Sequence, residues 1–141
     1  MKICTFIGHK TAPKELEPII KSTLEDLILN KNISKFYVGT HGNFDFLVLS
    51  VLESLKEKYK QIDYNVVLAY LPQENDGYKD YKNTVYPDGL EFVPKRFAID
   101  RRNKWMIEKS DYLVCYLRQN FSNTIKYKEY AQKKGKIIIN L

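Results

Sequence analysis

The chain is 141 residues long with a mass of 16.7 kDa, which is room for one domain and one core. Its composition, 44% hydrophobic and 28% charged, excludes a disordered chain, and no apolar run approaches the roughly 18 residues of a membrane span. Two cysteines, Cys4 and Cys115, both inside apolar runs, exclude a disulfide scaffold and a four-ligand zinc site, and no metal is expected.

The N-terminal stretch MKICTFIGHK has no signal-peptide core, so a cytoplasmic protein with reduced, buried thiols is expected. The net charge of +6 arises from lysines scattered along the chain, with local groups at Lys56–Lys60 and Lys126–Lys136. That distribution favours attraction of a small phosphorylated ligand, and nucleic acid is not the expected partner.

In chain order, Ile3 to Ile7 reads as a buried strand ending in Gly8-His9-Lys10. A helix follows from near Glu15–Glu17, since Pro18 fits only a first turn. Lys35–Gly39 is a second strand, and Asn43 is the expected N-cap of a helix bearing Phe44, Leu47, Val48, Val51, Leu52 and Leu55. Asn65–Leu71 makes a third strand, after which residues 73–95 show no sustained period. A helix over Phe97–Lys109, a strand over Tyr112–Leu117, a helix over Thr124–Lys134 stopped by Gly135, and a strand over Lys136–Leu141 complete the chain.

Strands that alternate with helices and read as continuous apolar runs predict a parallel sheet covered on both faces. The expectation is a single Rossmann-like, doubly wound α/β domain over 1–141, with five parallel strands in the order 3-2-1-4-5. Ligands of such sheets bind beyond the carboxyl ends of the strands, where the strand order reverses. Both histidines of the chain, His9 and His41, fall at such ends beside Gly8 and Gly42, where exposed amides can face an anion. Neither GxGxxG nor GxxxxGK[ST] is present, which removes the standard dinucleotide fingerprint and the P-loop. Arg96, Arg101 and Arg102 cluster at the start of the third helix, and Arg102 is expected to face the crevice rather than the core. Trp105 is expected to pack.

The pieces FIGHK (Phe6–Lys10), GNFD (Gly42–Asp45), RNKWMIEKSD (Arg102–Asp111) and SNTIKYKEYAQKKGKIIINL (Ser122–Leu141) resemble, in order and spacing, the SLOG superfamily. Within it the chain looks most similar to the small YpsA-like (DUF1273) bacterial proteins; the superfamily also holds the LOG phosphoribohydrolases and the DNA-processing protein DprA. The resemblance implies a Rossmann-like domain for a nucleotide-derived ligand, such as ADP-ribose, an NAD-like molecule or a nucleoside phosphate. It places Gly8, His9 and Lys10, then Gly42, Asn43, Phe44 and Asp45, then Arg102 and the phosphate turn Ser122-Asn123-Thr124 at that ligand. LOG enzymes carry a catalytic glutamate three residues after that threonine, where this chain has Tyr127. His9, His41 or Glu129 would have to replace it as acid or base.

Binding or sensing without a required cofactor is therefore the leading expectation. The alternatives are an N-glycosidic-bond hydrolase of LOG type and a protein- or DNA-associated module. A homo-oligomer is compatible with either. The segment 73–95, with Tyr78, Tyr81 and Tyr86, begins at the ligand edge and is expected to form a lid or a subunit contact beside it.

Overall fold

A computed structural model describes residues 1–71, 83–118 and 122–141. The strands are β1 (Lys2–Gly8), β2 (Ile33–Val38), β3 (Asp63–Val67), β4 (Thr84–Val85), β5 (Tyr112–Tyr116) and β6 (Ile137–Asn140). The helices are α1 (Glu17–Asn30), α2 (Gly42–Lys58), α3 (Ala98–Lys109) and α4 (Ser122–Lys133). One parallel sheet holds all six strands in the order β4-β3-β2-β1-β5-β6.

The five expected strands stand in the expected order, and the count is corrected to six. The additional strand, β4, is only two residues long and pairs with β3 at the edge of the sheet. Two residues are too few to print an alternation on the sequence, and Pro87 and Gly89 follow directly. The expected lid over 73–95 lies partly outside the described residues. Its described part, 83–95, forms this edge strand and two short 3-10 turns, Leu90–Phe92 and Lys95–Phe97, and lines none of the crevice at β1 and β5.

Successive strand residues bury on opposite faces, which is why the apolar runs are unbroken. Val66 joins the core under α1 and α2, whereas Val67 joins the core under α3 and α4. Val114 and Leu113 divide the same way. The first core includes Phe6, Phe36, Leu24 and Leu52; the second includes Met106, Ile107, Tyr127 and Ala131. Trp105 packs beside the second core, its ring 5.2 Å from that of Tyr37, as expected of a packing residue. Cys4 and Cys115 are buried free thiols, and burial pushes both thiol pKa values up, away from the reactive thiolate. No helix among the described residues is long and apolar enough to cross a membrane.

The helix after β2 starts earlier than the expected Asn43 cap. His41, in extended conformation, occupies the cap position, and Gly42 opens α2 with φ of +88°. The backbone N–H of Asn43 is instead spent on the carbonyl of Lys10, 2.9 Å away.

Candidate functional site at the carboxyl edge

Strand order reverses between β1 and β5, where Gly8 pairs in register with Tyr116. The loops leaving these strands are joined directly: the Arg118 backbone N–H donates to His9 Nε2 at 2.6 Å. The same imidazole sits edge-on to Tyr116, centroid to centroid 5.8 Å. Beyond this junction opens a cavity of about 460 Å³, within the size range of small-molecule sites. Gly8, His9, Lys10, His41, Asp45, Arg102 and Thr124 all line it. The sequence reading thus brought seven of its candidates to one place.

The other candidates stand elsewhere. Phe44 is fully buried behind Gly8, stacked on Tyr116 with centroids 6.1 Å apart. Gly42 and Asn43 serve the junction with Lys10 rather than the cavity wall. Glu129 is exposed on α4 and does not line the cavity. The side chains of Ser122 and Asn123, part of the expected phosphate turn, lie outside the described residues.

The glycines have reasons that the sequence reading did not supply. A Cβ on Gly8 would lie 2.4 Å from the Phe44 ring, and one on Gly42 would lie 2.6 Å from Lys10 Cα. Both glycines let protein meet protein, so the β1 loop and the start of α2 interlock to form one wall of the crevice.

Arg102 is the largest correction. It is only 1% exposed, and its donors are directed inward: Nη1 to the Val67 carbonyl (2.8 Å) and Thr40 Oγ1 (3.1 Å), Nε to Asn103 Oδ1 (2.9 Å). Its Nη2 lies 3.4 Å from His41 Nδ1. The guanidinium therefore ties α3 to the end of β3 and to the loop after β2 and forms the floor of the crevice, so the expectation that Arg102 lies outside the core is corrected.

This floor sets the state of its neighbours. Burial, then the charges of Arg102 and Lys10, lower the His41 pKa, so the ring is neutral near pH 7. Its Nδ1 faces the Arg102 guanidinium, a donor, and Thr40 Oγ1 at 3.1 Å. An accepting Nδ1 leaves Nε2 as the N–H, so His41 offers a hydrogen bond rather than a transferable positive charge. Asp45 reaches back to accept the His41 backbone N–H at 2.9 Å. Burial raises the Asp45 pKa to about 6, against the opposing pull of Arg102 and that hydrogen bond.

The reading of the sequence missed a second carboxylate, Asp100, together with Asn103 and Lys126 on the same wall. Asp100 accepts from the Tyr127 hydroxyl at 2.9 Å and pairs with Lys104 (3.3 Å) and Lys126 (3.2 Å). Burial opposes its charge, but these donors outweigh burial and hold its pKa below the usual value. Tyr127, buried and bound to a carboxylate, is pushed up to about 12 and stays a neutral donor. The available signal was helical spacing: Thr124, Tyr127 and Ala131 share one face of α4, and Asp100 and Asn103 share one face of α3.

No protein-family model matches the chain, and no curated protein matches it. Solved structures do. The DNA processing protein A (DprA) of Streptococcus pneumoniae superposes with a TM-score of 0.72 at 13% identity, covering 99% of this chain and 50% of that one. The DNA processing protein A of Helicobacter pylori, described for its single-stranded DNA binding mode, gives 0.67 at 14% identity, covering 99% and 64%. The chain thus spans half to two thirds of the length of these proteins. The likeness establishes a DprA-like, Rossmann-type α/β fold.

Proposed function

We propose that the chain is a YpsA-like member of the SLOG superfamily whose carboxyl-edge crevice binds a phosphate-bearing nucleotide unit, without a required cofactor. The observation that carries this reading is convergence. His9, Lys10, His41 and Thr124, from two separate loops and a helix start, line one cavity of nucleotide size at the switch point of a parallel sheet. Lys10 is exposed at its rim and supplies the cation; Thr124, in the first turn of α4, lies at a positive helix end. His41 offers an N–H, and the Tyr127 ring an apolar wall.

Two forms of ligand present that unit. The pocket favours a compact molecule such as ADP-ribose. The fold likeness to the H. pylori protein, together with the net charge of +6, favours a nucleotide within single-stranded DNA, against the expectation that nucleic acid is no partner. Calorimetry with ADP-ribose and with a twelve-residue oligothymidylate separates them. Binding of ADP-ribose that is lost in Lys10→Ala supports the first form; salt-sensitive binding of the oligonucleotide alone supports the second. Neither ligand binding at about 50 mM salt, where the electrostatic contribution is strong, contradicts both.

Asp45 makes the binding depend on pH. Below its pKa of about 6 the carboxyl is neutral and repels no anion; above it, a negative charge stands beside the ligand. The pyrophosphate of ADP-ribose keeps its charge over this range, so affinity is expected to rise about fivefold from pH 7.5 to 5.5, the equivalent of about 1 kcal/mol of screened repulsion. Titration calorimetry at the two pH values checks this, and in Asp45→Asn the rise attributable to this group is expected to vanish. The stability sign is the same. A carboxyl whose folded pKa lies above its unfolded one stabilises the fold below about pH 3.8, and that contribution is lost as pH rises through about 6.

A further inference from the structure

Outside the crevice, one surface combines exposed aromatic rings with cations. Phe97 is 49% exposed and Tyr70 36% exposed, although each has a ring large enough to be worth burying. Each ring carries a basic neighbour: Lys95 Nζ lies 5.5 Å from the Tyr70 centroid, and Arg96 Cζ lies 4.8 Å from the Phe97 centroid. The Tyr70 hydroxyl donates to the Lys95 carbonyl at 3.3 Å, which fixes the segment after β3 against the turn Lys95–Phe97. Among the described residues, neither Lys95 nor Arg96 forms an ion pair with a carboxylate. The surface is continuous with the crevice, because the His41 ring stands edge-on to Tyr70 with centroids 6.3 Å apart.

We infer that Tyr70 and Phe97 form a stacking platform for unpaired bases of a DNA single strand, with Lys95 and Arg96 holding its backbone. This rests on the single-strand form of the ligand proposed above and extends it from one nucleotide in the crevice to a path leading out of it. The chemistry matches: stacking on an aromatic face tolerates any base, and adjacent cations neutralise the phosphates between stacked bases. A peptide or a second copy of the chain would use the apolar area of the rings but would have no use for unpaired cations at both of them. Charge complementarity therefore favours a polyanion.

The test is fluorescence anisotropy with a labelled twelve-residue oligothymidylate, between about 50 and 200 mM salt. Variants Tyr70→Leu and Phe97→Leu keep apolar bulk at exposed positions and remove the ring. Each is expected to weaken binding about fivefold or more while leaving the salt slope unchanged. Lys95→Gln and Arg96→Gln are each expected to lower the salt slope by about 0.7, one phosphate contact on a single strand. Wild-type binding that persists undiminished in both leucine variants overturns the platform and leaves the single-strand reading intact. No binding by the wild type overturns both. If Phe97→Leu instead converts a dimer to a monomer in sedimentation with oligonucleotide affinity unchanged, the surface is a subunit contact and the platform is wrong.

Discussion

Replacing Arg102 with alanine is expected to lower the free energy of unfolding by about 3 kcal/mol, read as a fall in the denaturant midpoint at unchanged slope. The loss has three sources. The Val67 carbonyl and Thr40 Oγ1, both on buried residues, lose the Nη1 donor that serves them. A cavity opens where the largest fully buried side chain stood. Asp45 loses the positive charge that opposes its desolvation, so its pKa rises further above 6. Arg102→Lys is expected to recover only part of the loss, because one ammonium cannot repeat a fork that reaches α3, the loop after β2 and β3 together. Ligand affinity measured on the surviving folded fraction would fall as well, through the displaced His41. A variant that loses binding at full stability would return Arg102 to the role of a free phosphate ligand.

Gly8→Ala is expected to be comparably damaging, about 2–3 kcal/mol, because the new methyl would meet a rigid ring rather than a flexible chain end. Phe44 cannot swing away: it is fully buried and stacked on Tyr116. The signature is coupling. In a Phe44→Ala background, which carries its own cavity cost, the same substitution at Gly8 is expected to be nearly neutral. The double variant should therefore be more stable than the sum of the singles allows. Additive effects would show that the close approach of Gly8 to Phe44 is not what the glycine is for.

Much of this was legible in the sequence because the sheet is buried on both faces. Runs such as NVVLAYL and YLVCYL cannot be amphipathic helices, and helical stretches between them enforce parallel pairing. The switch-point rule then carried His9 and His41 to one crevice without any motif. What failed were inferences from residue type alone. Arg102 was expected to face the crevice outside the core, yet it stands four residues from both Ala98 and Met106, in the buried row of α3. An arginine inside an apolar i, i+4 row is a signal of a buried guanidinium with backbone acceptors. Gly8 and Gly42 were read as making room for an anion, whereas the space is filled by Phe44 and Lys10, contacts of long sequence separation that no local pattern encodes. Asp100 escaped notice because its importance comes from α4, through Tyr127 and Lys126.

Tyr127 is held in one protonation state at the crevice wall. A phenol held near a pKa of 12 against Asp100 donates a hydrogen bond and neither accepts nor delivers a proton near neutral pH. The crevice wall thus combines donors and cations with two carboxylates, Asp45 and Asp100.

The proposed binding of a nucleotide unit in the crevice between the β1 and β5 loops can be followed at single residues. Nuclear magnetic resonance mapping of backbone amides during titration with ADP-ribose, and separately with oligothymidylate, addresses it residue by residue. The expected result is saturable shifts at Gly8, His9, Lys10, His41 and Thr124 with at least one of the two ligands, while the exposed helix α1 on the opposite face stays still. Shifts confined to surface lysines such as Lys56–Lys60, or no saturable shift at Gly8–Lys10 with either ligand, would contradict it.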